Sequence, residues 1–325
     1  MKIIFFGTPL FAAVNLTFLI NAGFEIVAVV TPVDSKSGRG KIEKPCEVKT
    51  VALDNHIPIL QPEKLKDSDF IKKLKSFKAD IFIVVAFRML PEVVWKIPNK
   101  GTINLHTSLL PNYRGAAPIN WVLINGESET GVTTFFIDHN IDSGEIITQR
   151  IIKIKTSTTA AELHNELLYL GNDALLETIE MIKDKSVSST IQPNNLSNSE
   201  APKISKELLK INWNKSANDI HNLVRGLSPF LENKIVKNVA IFPSAWTFLK
   251  DENGLVKRIK IHLTEIASSK SNSTLVLDTD NKSYLNVSTK SNSISILRLQ
   301  VEGKNPMSIS QFLKGNKITK FHKIL

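Results

Sequence analysis

The chain opens with MKIIFFGTPLFAAVNLTFLINAGFEIVAVV, residues 1–30, and this stretch decides the fold. Residues 3–6 are apolar and end in a Gly-Thr-Pro turn, residues 11–19 carry apolar side chains at helical spacing, and residues 26–30 are apolar again. This order predicts a strand, a helix and a second strand, the unit of parallel sheets. Because only Gly7 stands in the first turn, the three-glycine dinucleotide fingerprint is missing and a nicotinamide cofactor is disfavoured.

The alternation of strand and helix continues as far as residue 182. Residues 81–86, 102–106 and 132–137 are candidate buried strands, and helical spacing predicts helices at 70–77, 118–124 and 160–182. Together these segments predict an α/β fold, a Rossmann-like domain with a mostly parallel sheet covered by helices.

The last third of the chain has a different pattern. Residues 186–199 are rich in Ser, Asn and Thr, which is typical of a linker. After a helix predicted at 217–227, short alternating segments such as 259–263, 274–277 and 293–297 predict a smaller OB-like β-barrel domain. We therefore expect a first domain over 1–188, a linker over 189–205 and a C-terminal domain over 206–325.

Composition limits the class of protein. The 325 residues are 42% hydrophobic and 22% charged, ordinary values for a globular chain. The longest apolar run, residues 81–87, is far shorter than the roughly 20 residues of a membrane-spanning helix. The opening residues lack the features of a secretory signal, so we expect a cytoplasmic protein that binds no membrane. The single cysteine, Cys46, excludes an internal disulfide.

Charge is unevenly distributed along the chain. Residues 201–325 contain 20 Lys and Arg against 9 Asp and Glu, whereas residues 1–200 contain 21 and 22. A basic terminal domain is typical of proteins that hold a polyanion such as nucleic acid. A lysine-rich surface that is merely solvated explains the same numbers, so charge alone leaves both interpretations open.

The densest run of polar and turn-forming residues is NLHTSLLPNYRGAAP, residues 104–118. Asn104 and His106 are two apart in a predicted strand, so their side chains share one face at its carboxyl end, where open α/β sheets bind ligands. Asp142, in the turn after the strand predicted at 132–137, could reach the same edge. Such a trio suits acyl transfer to an amine, because amide and imidazole stabilise an oxyanion and a carboxylate accepts a proton.

Each of these residues also has a simpler explanation. Asn and His near a strand end are often turn formers, and Asp-Ser-Gly is a common turn whose carboxylate caps backbone N–H groups. No Gly-x-Ser-x-Gly elbow accompanies Ser108, which disfavours a serine hydrolase. The spacing of His106, His139 and Asp142 gives no support for a metal site, so we predict no metal.

In order and spacing these motifs resemble the 10-formyltetrahydrofolate-dependent formyltransferase family. Residues 104–118 are similar to its signature, an Asn and a His followed by Ser-Leu-Leu-Pro-x-Tyr-Arg-Gly. Residues 1–9, 84–91 and 141–144 are similar to its opening strand, its pterin-binding segment and its Asp-x-Gly turn. Residues 201–204, 211–213 and 300–304 match its terminal domain, so the resemblance covers nearly the whole chain.

The resemblance implies transfer of the formyl group of 10-formyltetrahydrofolate to the α-amino group of initiator methionyl-tRNA, as the first step towards translation initiation. On this interpretation Asn104 and His106 stabilise the oxyanion, and Asp142 supports His106 and proton movement. The folate would be the only cofactor, and we expect a monomer. The residues implied to bind the folate are Phe87, Arg88, Met89, Leu90, Ser108, Leu109, Leu110, Pro111 and Asp138.

The resemblance also implies two sets of tRNA contacts. Residues 34–41 are too polar to pack inward, and a family loop at this position enters the acceptor stem, so Lys36, Arg39 and Lys41 are implied to contact RNA, with Arg39 the discriminating residue. A merely solvated loop is the alternative. In the basic terminal domain the candidate phosphate contacts are Lys203, Lys206, Lys210 and Arg225. An insertion at 230–242 departs from the family pattern and leaves the local chain path open.

Two other functions stay open on sequence grounds. A relative with the same catalytic trio could act on an amino-sugar nucleotide, a purine-ribonucleotide amine or water, although it predicts neither the basic loop nor the basic terminal domain. A non-enzymatic RNA-binding protein on an α/β scaffold would leave Asn104, His106 and Asp142 without a role.

Overall fold

The computed structural model describes residues 1–37, 42–193, 199–231, 234–235, 242–268 and 273–325. Its helices are Leu10–Asn21 (α1), Glu47–Asp54 (α2), Ser68–Ser76 (α3), Glu92–Trp95 (α4), Pro118–Ile124 (α5), Ala160–Lys183 (α6), Ala217–Gly226 (α7) and Ile309–Gly315 (α8). A 3₁₀ turn covers Glu207–Leu209.

The strands of the first half are Lys2–Gly7 (β1), Glu25–Val30 (β2), Ser35–Ser37 (β3), Ile42–Lys44 (β4), Ile59–Leu60 (β5), Ile81–Val85 (β6), Thr102–His106 (β7), Arg114–Gly115 (β8), Glu129–Phe136 (β9) and Ile146–Lys153 (β10). Those of the second half are Glu200–Ala201 (β11), Phe230–Leu231 (β12), Lys234–Ile235 (β13), Ala245–Lys250 (β14), Val256–Ala267 (β15), Leu277–Thr279 (β16), Leu285–Ser288 (β17), Ser293–Val301 (β18), Met307–Ser308 (β19) and Lys323–Ile324 (β20).

The described residues group into two compact units. The first contains residues 1–115, 130–152 and 164–200, and the second contains 116–129, 153–163 and 201–325. The limits 1–188, 189–205 and 206–325 stay a prediction, since a contact grouping and a functional domain are different divisions of the chain.

A seven-stranded sheet in the order β10-β9-β7-β6-β1-β2-β5 forms the centre of the first unit. Strands β7, β6, β1, β2 and β5 are parallel to one another, and β9 pairs with β7 in the antiparallel sense. The apolar runs of β1 and β6 are buried, as expected for strands whose two faces are both covered. The carboxyl ends of β6 and β7 therefore lie side by side at one sheet edge.

Helix α3 illustrates how local sequence fixes an element of this unit. The Asp67 carboxylate caps the helix by accepting hydrogen bonds from the backbone N–H groups of Asp69 and Phe70. Phe70 and Leu74 are four residues apart and pack into the apolar cluster beneath the sheet.

An antiparallel sheet in the order β16-β17-β18-β15-β14-β20, with β19 added to β18, forms the β-barrel of the second unit. Helix α7 begins with a capping box, in which Ser216 and Asp219 satisfy each other's backbone N–H groups. Its buried face, including Ile220 and Val224, joins the barrel core. The buried indole of Trp213 donates to Thr247 at 3.0 Å, so its one polar atom is satisfied.

The predicted fold class, a Rossmann-like parallel sheet followed by a smaller antiparallel barrel, is confirmed. The strand predicted at 132–137 spans Glu129–Phe136, so it begins three residues earlier than predicted. Thr134 lies within the predicted range, and its hydroxyl bonds those of Thr148 and Thr178, so these three buried polar groups have partners. The strand predicted at 274–277 begins later, at Leu277, because the chain turns at Leu275 with a φ of +65°.

The basic segment predicted as a loop contains the antiparallel pair β3 and β4. Its base is held by Lys49, which donates to Asp34 at 2.5 Å and to Gln61 at 2.8 Å. The hydrogen bond from Lys49 to Asp34 keeps the pKa of the Asp34 carboxyl below its ordinary value. Among the described residues, no helix is both long enough and apolar enough to cross a bilayer.

Candidate active site

Strand β7 carries Asn104 and His106 to the edge where β6 also ends. Asn104 pairs with Val84 of β6 and with Phe135 of β9, and His106 pairs with Thr133. The two side chains project from the same face, as the two-residue period of a strand requires. Asn104 is half-buried, and within the described residues its carboxamide has no hydrogen-bond partner. It is thus available to a ligand at this edge.

The His106 imidazole is buried and fixed by one backbone group. Its Nε2 lies 2.8 Å from the Tyr113 carbonyl oxygen, which can only accept, so Nε2 carries the proton. Nδ1 lies 3.7 Å from Oδ2 of Asp142. In the neutral ring Nδ1 is therefore the atom that accepts a proton, and in the charged ring it presents an N–H beside the carboxylate.

Asp142 adopts a backbone conformation that few non-glycine residues use, with a φ of +52°. Its Oδ2 accepts a hydrogen bond from the Gly115 N–H at 3.0 Å. Two residues later Gly144 passes so close to strand β9 that a Cβ atom there would lie 1.7 Å from the Phe136 carbonyl oxygen. The Asp-Ser-Gly turn thus needs its glycine for a close backbone approach, and it aims the carboxylate at His106.

Gln192 is a site residue that sequence reasoning missed. It is 2% exposed, and its Nε2 donates to the carbonyl oxygens of Asp142 at 3.0 Å and Gly144 at 2.7 Å. Its Oε1 accepts from the Arg114 guanidinium at 2.5 and 3.1 Å. No local pattern distinguishes this glutamine, which lies in the polar stretch interpreted as a linker.

The segment after β7 is fixed by buried threonine and serine hydroxyls. Thr133 donates to the Ser108 carbonyl at 2.7 Å and accepts from the Leu110 N–H at 3.1 Å, and the peptide bond between Leu110 and Pro111 is cis. Ser108 is fully buried and donates to the Asn112 carbonyl at 2.7 Å. Its side chain therefore shapes the loop, and its implied role as a folate contact stays a prediction.

The other residues implied to bind folate divide by exposure. Leu90 and Leu110 are buried, 5% and 3% exposed, and belong to the wall behind the edge. Asp138 uses one carboxylate oxygen to hold its own turn, accepting from Asn140 N–H and the Ser143 hydroxyl. Accessible surface remains on Phe87, Arg88, Met89, Leu109, Pro111 and Asp138.

Arg88 and Met89 also line a cavity of about 940 Å³. Lys64, Lys66 and Lys96 add positive charge to its wall, and Glu63 and Glu92 add negative charge. Arg88 reaches across it, donating to the carbonyl oxygens of Pro62 at 2.5 Å and Glu63 at 3.1 Å. Because Met89 follows β6 by only a few residues, this cavity opens beside the carboxyl ends of the sheet strands.

His139, considered above as a metal ligand, has other contacts. Its Nδ1 lies 3.6 Å from the Glu92 carboxylate, and its ring packs edge-on against Trp95 with centroids 5.3 Å apart. The turn that carries Asp142 thus rests on helix α4. In the part of the chain that is described, no three His, Cys, Asp or Glu side chains are grouped to hold a metal ion.

The implied tRNA contacts have different outcomes. Arg39 and Lys41 lie outside the described residues, as does most of the insertion at 230–242, and for Lys36 only the backbone position in β3 is described. Lys203, Lys206 and Lys210 are exposed. Arg225 is 5% exposed, and its guanidinium donates to Asn222 and to the carbonyl oxygens of Lys155 and Thr158. Its side chain is therefore used within the protein, and its phosphate contact stays a prediction.

The open α/β sheet with a carboxamide, an imidazole and a carboxylate at its carboxyl edge defines a transferase of the acyl-transfer type. Residues 1–179 match the model of the formyl transferase family, and residues 203–317 match that of the formyl transferase C-terminal domain. The chain belongs to the formyl transferase family.

Relatives match the chain over nearly its whole length. It is 46% identical to the methionyl-tRNA formyltransferase of Azobacteroides pseudotrichonymphae, over 97% of this chain and 96% of the relative. It is 44% identical to the methionyl-tRNA formyltransferase of Flavobacterium johnsoniae, again over 97% and 96%.

Solved structures share the fold at lower identity. WlaRD, a sugar 3N-formyl transferase crystallised with dTDP and 5-N-formyl-THF, superposes with a TM-score of 0.64 at 24% identity, covering 94% of this chain and 99% of that one. HypX from Aquifex aeolicus in complex with tetrahydrofolic acid superposes with a TM-score of 0.60 at 17% identity, covering 99% of this chain and 50% of that one.

Proposed function

We propose that this protein transfers the formyl group of 10-formyltetrahydrofolate to the α-amino group of initiator methionyl-tRNA, giving N-formylmethionyl-tRNA for translation initiation. The observation that carries the proposal is the convergence of Asn104, His106 and Asp142 at one sheet edge, with Nδ1 of His106 facing the Asp142 carboxylate at 3.7 Å. The near full-length similarity to enzymes of this name supports methionyl-tRNA as the acceptor.

The chemistry follows from the atoms available at this edge. The neutral α-amino nitrogen attacks the formyl carbon, and the carbonyl oxygen becomes an oxyanion. The Asn104 amide and the protonated Nδ1 of His106 donate hydrogen bonds to that oxyanion, an effect typically worth about 3 to 4 kcal/mol per donor. Asp142 accepts the proton that the attacking nitrogen loses. Collapse breaks the bond between the formyl carbon and N10, and the proton held by Asp142 passes to N10 as tetrahydrofolate leaves, which returns Asp142 to its carboxylate form.

The described residues fit a folate. Phe87, Met89, Leu109 and Pro111 supply accessible apolar surface around the edge, and Asp138 keeps one carboxylate oxygen free of the bonds that hold its turn. The basic wall of the adjoining cavity suits the carboxylates at the glutamate end of a folate. We assign the pterin to the edge and the glutamate to the cavity, so the two halves of the cosubstrate have different partners.

For the tRNA, the proposal uses the basic segment around β3 and β4 and the exposed lysines Lys203, Lys206 and Lys210. Arg39 and Lys41 are retained as predicted acceptor-stem contacts. We assign the reaction to a monomer, because a single chain supplies all three catalytic side chains, and we retain the predicted cytoplasmic location as part of the proposal.

A labelled-formyl assay tests the proposal. The protein is incubated with 10-formyltetrahydrofolate and, separately, with methionine-charged initiator tRNA, methionine-charged elongator tRNA and an amino-sugar nucleotide. We expect transfer to initiator tRNA, weaker transfer to elongator tRNA and none to the sugar. Preferred transfer to the amino-sugar nucleotide would show that this sugar, and not methionyl-tRNA, is the acceptor. Absence of transfer to all three acceptors would refute the proposed activity.

A substitution assigns the catalytic role. His106→Ala should abolish formyl transfer while leaving most of the affinity for tRNA, since the imidazole acts on the reacting carbonyl group. His56→Ala serves as the matched control, because His56 is exposed and lies 50 residues before His106 in the sequence. An equal loss of tRNA binding and of rate in His106→Ala would assign the residue to binding instead.

A further inference from the structure

Helix α4 contacts the turn that carries Asp142 through four side chains, called here the α4–turn cluster: Glu92, Trp95, Lys96 and His139. His139 lies three residues before Asp142 in that turn. Its ring packs edge-on against Trp95, and its Nδ1 lies 3.6 Å from Oε2 of Glu92. The His139 side chain is 64% exposed, so these contacts, and not burial, hold it against the helix.

The helix and the turn are also anchored at one buried residue. The Thr102 hydroxyl donates to the Trp95 carbonyl oxygen at 2.8 Å, and the Thr102 carbonyl oxygen accepts from the Ile137 N–H at 2.8 Å. Thr102 is 2% exposed and begins β7, the strand that carries Asn104 and His106. The α4–turn cluster is therefore a second and more exposed connection between two elements whose bases are already fixed.

Glu92 divides its carboxylate between two partners of this cluster. Its Oε1 contacts the Lys96 ammonium directly, whereas the 3.6 Å from Oε2 to His139 is longer than a hydrogen bond. The hydrogen bond from Lys96 is the main cause that keeps the pKa of Glu92 below its ordinary value, and the charge of His139 is a smaller one. In this structure Lys96 is thus the stronger competitor for the carboxylate.

Lys96 also faces the cavity beside the carboxyl ends of the sheet strands. It lines that cavity together with Glu92, and Lys64 and Lys66 add positive charge elsewhere on the wall. A ligand carboxylate in the cavity would offer Lys96 a second anionic partner. In the described part of the chain the ion pairs of Glu92 are with Lys96 and His139, so a Glu92 that loses Lys96 has His139 as its next partner.

We propose that the glutamate carboxylate of the folate, by binding Lys96, frees Glu92 to close onto His139 and so fixes the turn that aims Asp142 at His106. Binding energy from a remote part of a substrate would then be expressed at the reacting centre, which raises kcat as well as affinity. Glu92 and His139 are positioning residues in this scheme, since neither touches the reacting atoms. The inference rests on the proposed function, in which the cavity holds the glutamate end of the formyl donor.

Two formyl donors test this coupling, with initiator methionyl-tRNA as the acceptor: 10-formyltetrahydrofolate, and 10-formyltetrahydropteroate, which lacks the glutamate. In the unaltered chain we expect kcat to be about three- to fivefold higher with the glutamate, the scale of a partly exposed ion pair, together with a lower KM. Glu92→Gln and His139→Phe should each abolish the difference in kcat and keep the difference in KM. His139→Phe retains a ring against Trp95 and removes Nδ1, so it separates the ion pair from ring packing.

Asp69→Asn is the matched control, because Asp69 forms an exposed ion pair with Lys72 at 3.3 Å on helix α3. It should keep the ratio of kcat values that the two donors give with the unaltered chain. Equal kcat with both donors in the unaltered chain would overturn the proposal. A ratio that survives in Glu92→Gln or His139→Phe would also overturn it, even if both rates fall, because the cluster would then only support the turn.

Nuclear magnetic resonance gives a readout that needs no turnover. The ring signals of His139, assigned by their loss in His139→Phe, should shift when 10-formyltetrahydrofolate binds and shift less with the pteroate donor. Glu92→Gln should remove that difference, and identical shifts with the two donors would overturn the proposal. If the shifts differ as expected while no formyl group reaches methionyl-tRNA, the proposed function fails and the coupling of the cavity to the turn stands.

Discussion

Replacing Gln192 by leucine tests whether the Asp142 turn is held in place from behind. The glutamine is 2% exposed and satisfies the carbonyl oxygens of Asp142 and Gly144, while Arg114 is held by its Oε1. Leucine has a similar volume but no polar atom, so two buried carbonyls lose their donor. At about 1 to 3 kcal/mol for each unsatisfied buried group, the free energy of unfolding should fall by about 3 kcal/mol.

The effect on rate follows from the backbone of Asp142. A residue with a φ of +52° relaxes when its anchors are removed, and relaxation withdraws the carboxylate from the Gly115 N–H and from His106. A displacement of about 1 Å at a reacting group can cost about a hundredfold in rate. We therefore expect kcat to fall by about that factor in Gln192→Leu, with a KM for 10-formyltetrahydrofolate that changes much less.

The assay combines urea unfolding with steady-state formyl transfer, at a temperature where the variant is fully folded. Gln300→Leu is the control, because Gln300 makes a hydrogen bond to the Lys304 carbonyl in the barrel and does not touch the site. A folded Gln192→Leu with kcat within about twofold of the unaltered enzyme would refute the reasoning. Equal losses in both variants would show a general effect of removing a glutamine.

Three further predictions concern the turn, the cavity and pH. Gly144→Ala should lower kcat far more than Gly315→Ala, since its Cβ would lie 1.7 Å from the Phe136 carbonyl oxygen whereas nothing lies within 4 Å at Gly315; equal rates in the two would contradict this. Lys64→Gln with Lys66→Gln should raise the KM for 10-formyltetrahydrofolate several-fold at unchanged kcat, while Lys72→Gln with Lys75→Gln should not; a fall in kcat alone would place the glutamate elsewhere. Burial lowers the pKa of His164 to about 4 from its ordinary 6.5. As the pH falls from about 6.5 to about 4, the unfolded chain therefore binds a proton that the folded chain does not, and the free energy of unfolding falls by about 3 kcal/mol. Urea unfolding of His164→Leu from pH 7 to pH 4 should show a smaller loss than the unaltered chain, and an identical pH profile would exclude His164 as a source.

Most of the fold follows from periodicity along the sequence. Strand β7 and helix α5 fall at the predicted residues, 102–106 and 118–124, because Ile103 and Leu105 alternate with polar residues in the strand and most residues of the helix are apolar. The start of β9 is not apparent from the sequence, because its first residues, Glu129, Thr130 and Gly131, are not apolar. Local pattern also does not show that the Thr134 hydroxyl is buried, because its partners Thr148 and Thr178 are distant in sequence.

The candidate site is predictable only for the residues whose chemistry is unusual at their position. Asn104, His106 and Asp142 stand out by type and spacing, whereas Gln192 acts through hydrogen bonds to residues about 50 and 80 positions away. Nothing in its neighbourhood could show that its side chain is buried. Arg225 shows the same limit from the other side, since a cation in a basic domain suggests phosphate binding while the structure shows its guanidinium bonded inside the protein.

The geometry also gives a physical reason for the run between His106 and Gly115. The Ser108 side chain serves the loop itself, and the backbone of the run returns to the end of β7. That return places the Tyr113 carbonyl against Nε2 of His106 and the Gly115 N–H against Asp142. One loop therefore sets the tautomer of the neutral imidazole and the direction of the carboxylate together. Substitutions that alter its path should change both groups at once, even where the three catalytic side chains are intact.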